Sequence, residues 1–129
     1  RPYLIKPNDE ELAEWFGLIN PSLEEIKDCG QKLLEKGAEN VLVSLGEKGA
    51  ILFTPTETIH VTAPKGEVVN TACAGDTLLA TFVGSQLLGL SDEEALIKAV
   101  AAGSSTAFRP GLTDFSDVPT LMQQIKRIL

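Results

Sequence analysis

The chain has 129 residues, 43% hydrophobic and 22% charged, enough for one soluble globular domain with a real core and too few for two ordinary domains. Its formal net charge of −7 argues against a nucleic-acid partner, so any phosphate site must be local and built from backbone amides and helix ends. Only Cys29 and Cys73 are present, in no metal-ligand spacing, and no apolar run approaches the roughly 20 residues that span a bilayer, so a cytoplasmic protein without a disulfide framework or membrane partner is expected.

Arg1 leads directly into Tyr3-Leu4-Ile5, a strand already under way, which suggests that the sequence begins inside a larger protein. A helix from Asn8 to Phe16 follows, with Leu12, Trp15 and Phe16 on its apolar side. Between them, Lys6-Pro7-Asn8-Asp9-Glu10-Glu11 lies where a strand ends and a helix begins, and ligands collect at the carboxyl ends of strands in open α/β sheets. Lys6 there can meet a phosphate, and Asn8 with Glu11 can hold the water shell of a Mg²⁺ ion. Asn8 followed three residues later by Glu11 is equally a helix-capping box, and acidic residues suit a first helical turn.

A second helix spans Ser22 to Lys36, capped by Ser22 and Glu25 and stopped by Gly37. The run Val41 to Leu45 reads as a buried strand, and Gly46-Glu47-Lys48-Gly49 turns it into an antiparallel partner, Ala50 to Phe53. In Ser44-x-Gly46-x-x-Gly49 the glycines allow backbone to approach a nucleotide, although a hairpin turn accounts for them as well. Two short extended pieces follow, Ile59 to Thr62 and Glu67 to Val69, separated by a Pro64-Lys65-Gly66 turn. His60, the single histidine, is expected to face solvent from its strand.

The most informative stretch is Asn70-Thr71-Ala72-Cys73-Ala74-Gly75-Asp76-Thr77, where small residues lead into an acidic one at the start of a helical pattern running from Thr77 to Leu88. Small side chains let amides crowd a phosphate, the helix adds its positive end, and Asp76 is within reach of a reacting hydroxyl. This layout points to phosphoryl transfer, while a Gly-Asp pair opening a helix also serves as a simple cap. Ser91 and Glu94 open a further helix through Ala107, ended by Pro110-Gly111, and a last helix is expected from Val118 to Leu129. Within the penultimate helix, the small residues Ala101-Ala102-Gly103-Ser104-Ser105-Thr106-Ala107 admit either a flat adenine ring or close helix packing. Strands alternating with helices predict an α/β sheet covered on both faces.

In this order, Lys6-Pro7-Asn8 with Glu11, Ser44-x-Gly46-x-x-Gly49, Asn70 to Asp76 and the small-residue helix resemble the carboxy-terminal portion of the phosphofructokinase B (ribokinase-like) family of sugar kinases, over nearly the whole chain. Lys6-Pro7-Asn8, Asn70 in place of Asp, and Ala101 to Phe108 look most like the bacterial 1-phosphofructokinase branch, with tagatose-6-phosphate kinases close behind. The resemblance implies a three-layer α/β/α fold, residues 1–129 forming one nucleotide-side domain, with the amino-terminal sugar-binding portion and its lid, through which the parent dimerises, absent. It implies ATP-dependent phosphorylation of a sugar phosphate, fructose 1-phosphate to fructose 1,6-bisphosphate first, with Mg²⁺. Asp76 is then the proton acceptor, and amides of Cys73, Ala74, Gly75 and Asp76 hold the transferring phosphoryl group. Asn8 and Glu11 organise Mg²⁺, Lys6, Ser44, Gly46, Gly49 and Gly75 line the nucleotide, and Ser104 lies near the base. Cys73 departs from the Gly or Ala usual in the cradle. Without the sugar half the fragment is expected to be inactive alone, and a non-catalytic nucleotide-binding module is the reading from another class.

Overall fold

The computed structural model describes residues 3–69, 74–108 and 115–128. Four strands form one mixed sheet in the order β1 (Leu4–Ile5), β2 (Asn40–Ser44), β3 (Ala50–Phe53) and β4 (Thr58–Val61). Strands β1 and β2 are parallel, with Leu4 beside Asn40 and Ile5 beside Val41, whereas β2, β3 and β4 are successively antiparallel. The parallel pairing continues past β1, because the Ser44 amide donates to the Pro7 carbonyl at 3.2 Å and Asn8 bridges Ser44. The carboxyl ends of β1, β2 and β4 therefore open on one side of the molecule.

Alternation along the strands divides the core in two. Leu42, Ala50, Leu52, Ile59 and Val61 face α3 (Ala74–Leu87), α4 (Asp92–Ala107) and α5 (Val118–Met122), with Phe82 and Leu96 fully buried among them. Val41, Val43, Ile51 and Phe53 face α1 (Asp9–Trp15) and α2 (Leu23–Glu35), which contribute Leu12, Ile26 and Cys29. Burial pushes the Cys29 thiol pKa up. The three-layer α/β/α arrangement expected from the sequence is thus the one observed. Close approach of α2 to the sheet rests on Gly30, where a Cβ would lie 2.4 Å from the Phe53 ring.

Helix starts follow their caps. Asn8 Oδ1 accepts the Glu11 amide at 2.7 Å and Glu11 Oε1 accepts the Asn8 amide at 3.1 Å, and Ser22 and Glu25 repeat the box at the head of α2. At α4 the Glu94 carboxylate takes the Ser91 hydroxyl instead, while Ser91 Oγ accepts the Glu94 amide.

Several expectations are corrected. Helix α3 begins at Ala74 and not at Thr77, so Gly75 and Asp76 lie inside its first turn. Residues Glu67 to Val69 form no strand. The last helix stops at Met122, because the open edge of β4 captures the chain beyond it: the Thr62 amide donates to the Lys126 carbonyl at 2.8 Å and the Ile128 amide to the His60 carbonyl at 2.7 Å. Trp15 projects outward at 54% exposure, leaving Leu12 as the buried anchor of α1, and His60 is only 4% exposed. Asn70 to Cys73 and the Pro110-Gly111 stop lie outside the described residues.

Candidate active site

A cleft of about 940 Å³, within the size range of small-molecule sites, opens where β1, β2 and β4 end. Four segments predicted separately from the sequence meet there: Lys6 and Asn8 after β1, Ser44 at the end of β2 with Gly46 and Gly49 beyond it, Ala74, Gly75 and Asp76 in the first turn of α3, and Ser104 on α4. Two predicted site residues are not in this group. Glu11 is exposed beyond the lining and holds Asn8 through the cap, and Cys73 lies outside the described residues.

Each segment has a local reason for its position. Gly46 to Lys48 form a single 3-10 turn, closed by Lys48 and Gly49 amides donating to the Leu45 and Gly46 carbonyls at 3.2 and 3.1 Å. Gly49 is required in this turn: its φ is +94°, and a Cβ would lie 1.9 Å from the Val61 carbonyl oxygen. Lys6 reaches across from β1 to α3, its Nζ lying 2.9 Å from where a Cβ on Gly75 would stand. A lysine ammonium and the positive end of a 14-residue helix thus converge on one point of the cleft, which is the arrangement that binds an anion. Asp76 is exposed in that same turn and its side chain lines the cleft.

The small-residue segment of α4 packs closely on α3 and also presents residues to the cleft. Gly103 admits α3, since a Cβ there would lie 3.2 Å from the Ala74 carbonyl and 3.3 Å from Leu78 Cβ, while Ser104 and Ala107 face the cleft. The sequence reading missed the wall formed by Ala63 to Gly66 and Val68 after β4, and its contact with Phe108 at the end of α4. Gly66 was read only as part of a turn, yet a Cβ on it would lie 2.5 Å from the Phe108 ring, so the glycine is what lets the outer end of that ring approach the wall of the cleft.

Lys48 and Lys65 add positive charge to the lining, and Asp9, Glu10 and Glu47 add negative charge. Among the described residues no group of three or more His, Cys, Asp or Glu converges as a metal cage. Hard oxygen donors beside a phosphate-type site nonetheless fit Mg²⁺, which keeps several of its waters and arrives bound to phosphates. No helix among the described residues is long and apolar enough to cross a membrane.

The sequence pattern of the pfkB family of carbohydrate kinases matches residues 1–120. The chain belongs to that family. It is 54% identical over 126 residues to a D-tagatose-1-phosphate kinase of Bacillus licheniformis and 41% identical over 126 residues to a 1-phosphofructokinase of Bacillus subtilis, covering 97% and 98% of this chain. It spans about two-fifths of the length of those relatives, 41% and 42%. Its fold superposes on Arabidopsis thaliana ribokinase complexed with ribose and ATP with a TM-score of 0.81 at 34% identity, covering 93% of this chain and 40% of the ribokinase. The pfkB assignment agrees with the resemblance read from the sequence, with one change of detail. The tagatose relative is named for the 1-phosphate, whereas the sequence reading favoured tagatose 6-phosphate kinases as the neighbouring branch.

Proposed function

We propose that this chain is the carboxy-terminal, nucleotide-side part of an ATP-dependent, cytoplasmic ketohexose-1-phosphate kinase, and that its cleft holds the ATP and the catalytic base. The observation that carries this reading is the meeting of Lys6, Asn8, Ser44, Gly46, Gly75, Asp76 and Ser104, spread over most of the sequence, around one cleft at the head of α3. In the reaction the acceptor hydroxyl oxygen forms a bond to the γ-phosphorus of ATP as the bond from that phosphorus to the β-γ bridging oxygen breaks. The hydroxyl proton passes to the Asp76 carboxylate and then to solvent, and ADP leaves. Such a loose transfer asks a protein mainly for positioning and for stabilisation of charge on the phosphoryl oxygens.

Lys6 and the amides of Ala74 to Asp76 supply that charge stabilisation, and the turn Gly46 to Gly49 lies along the nucleotide, with Ser104 near the base. Mg²⁺ would enter with ATP and neutralise phosphate charge. Asn8 and Glu11, locked together by their mutual cap, would meet its water shell. The acceptor is fructose 1-phosphate or its C4 epimer tagatose 1-phosphate, phosphorylated on the C6 hydroxyl. Relatives of both names match nearly all of this chain, which supports a shared nucleotide half and a choice of sugar made by the rest of the protein, together with the lid and homodimer contact.

The test is ADP release by the full-length protein with MgATP against the 1-phosphates and 6-phosphates of fructose and tagatose and the free sugars. One of the two 1-phosphates is expected to exceed every 6-phosphate and free sugar by at least about 100-fold in kcat/KM. No ADP release with any acceptor, while MgATP still binds, would replace the kinase with a nucleotide-binding module.

A further inference from the structure

We infer that His60 is a positioning residue for the nucleotide: its imidazole holds the Gly46 to Gly49 turn in place from inside the core. The inference rests on the reading of the cleft as the ATP site. His60 sits in β4 between Ile59 and Val61, both fully buried, and is itself 4% exposed, at a position where sheet packing favours an apolar side chain. Its Nε2 lies 3.2 Å from the Lys48 carbonyl oxygen. A carbonyl only accepts, so Nε2 carries a proton and donates it to that oxygen. The ring's Nδ1 is buried and has no hydrogen-bond partner. Burying a polar ring with half of its hydrogen-bonding capacity unmet is unfavourable, so the ring is not in the core for packing alone.

The turn explains its presence. The carbonyls of Leu45, Gly46 and Gly49 are taken by the Lys48, Gly49 and Leu45 amides, which close the turn upon itself. The Lys48 carbonyl instead receives the imidazole N–H from β4, and the next residue, Gly49, is pressed against the Val61 carbonyl of the same strand. His60 thereby ties the last residue of the turn to the sheet while Gly46, Glu47 and Lys48 line the cleft. Removing the N–H frees the turn to drift from the orientation in which its backbone meets the nucleotide, without touching the atoms that react at Asp76.

The experiment compares His60→Leu, which lacks a donor, with His60→Gln, whose amide nitrogen reaches about as far as Nε2, in the full-length protein. Three readouts are taken: the dissociation constant of MgATP, kcat with saturating substrates, and hydrogen exchange of the amides of Lys48 and Gly49. His60→Leu is expected to weaken MgATP about five-fold or more and to speed exchange in the turn while kcat changes by less than about two-fold, with His60→Gln restoring both. MgATP binding and exchange unchanged in a folded His60→Leu variant would overturn the inference. Faster exchange in a protein whose wild type binds no nucleotide would overturn the reading of the cleft and leave the hold on the turn standing.

Discussion

Two glycines of the cleft separate function from folding. At Gly75 an added Cβ would meet, among the described residues, only the end of the flexible Lys6 side chain, 2.9 Å away, and the helical backbone accepts alanine. Gly75→Ala is therefore expected to leave the thermal midpoint within about 2 °C of wild type while displacing the Lys6 ammonium from the head of α3 and lowering turnover about ten-fold or more. At Gly49 the obstacle is the Val61 carbonyl at 1.9 Å and a φ of +94°, neither of which can yield, so Gly49→Ala is expected to destabilise the fold by about 1–3 kcal/mol from the backbone conformation alone. Thermal unfolding and steady-state kinetics of the two variants give opposite patterns if this account is right. The same residues show what a sequence can reveal. Gly46, Gly49 and Asp76 are legible because turns and helix starts restrict the residue types they accept. His60 is not: Thr58, His60 and Thr62 alternate with Ile59 and Val61 like the wet face of a half-exposed strand. That face is covered in the fold, with Gln31 of α2 donating to Thr58 at 3.1 Å, and long-range cover of this kind leaves no mark on the strand's own pattern.

Among the elements, the caps of α1 and α2 form a matched pair. Asn8 and Ser22 each accept an N3 amide and receive a glutamate in return, but only Asn8 also lines the cleft. Asn8→Ala and Ser22→Ala are expected to lose a similar stability, about 1 kcal/mol each in chemical denaturation, whereas only Asn8→Ala weakens MgATP binding or slows turnover. Equal and negligible effects on the nucleotide would assign Asn8 to the cap alone. Helix positions were readable from such caps, and the strands β2 and β3 from their apolar runs. The short α5 was not, because Met122 to Leu129 continues a helical pattern while the deciding influence is the free edge of β4, more than 60 residues away in sequence, which binds Lys126 and Ile128. Arg127 reinforces that strap through Glu57 at 3.2 Å and Glu93 at 2.7 Å, exposed pairs of small individual weight.

At the scale of the whole molecule, an acidic chain concentrates a lysine, a helix end and a glycine-rich turn at one end of its sheet, where the proposed phosphate site lies. The order of motifs made that convergence legible in the sequence, since all but the small-residue run of α4 follow the carboxyl end of a strand or open a helix, and an α/β sheet gathers such ends together. The wall after β4 was not legible, because apart from its turn it is marked only by a contact between Gly66 and Phe108, 42 residues apart. The central claim is that this one cleft both binds MgATP and carries the group that takes the acceptor's proton. The most direct test is Asp76→Asn in the full-length protein, measuring kcat on the best ketohexose 1-phosphate alongside the dissociation constant of MgATP. The account predicts a fall in kcat of about 10³-fold with MgATP affinity within about three-fold of wild type. Retention of turnover within ten-fold of wild type would contradict it.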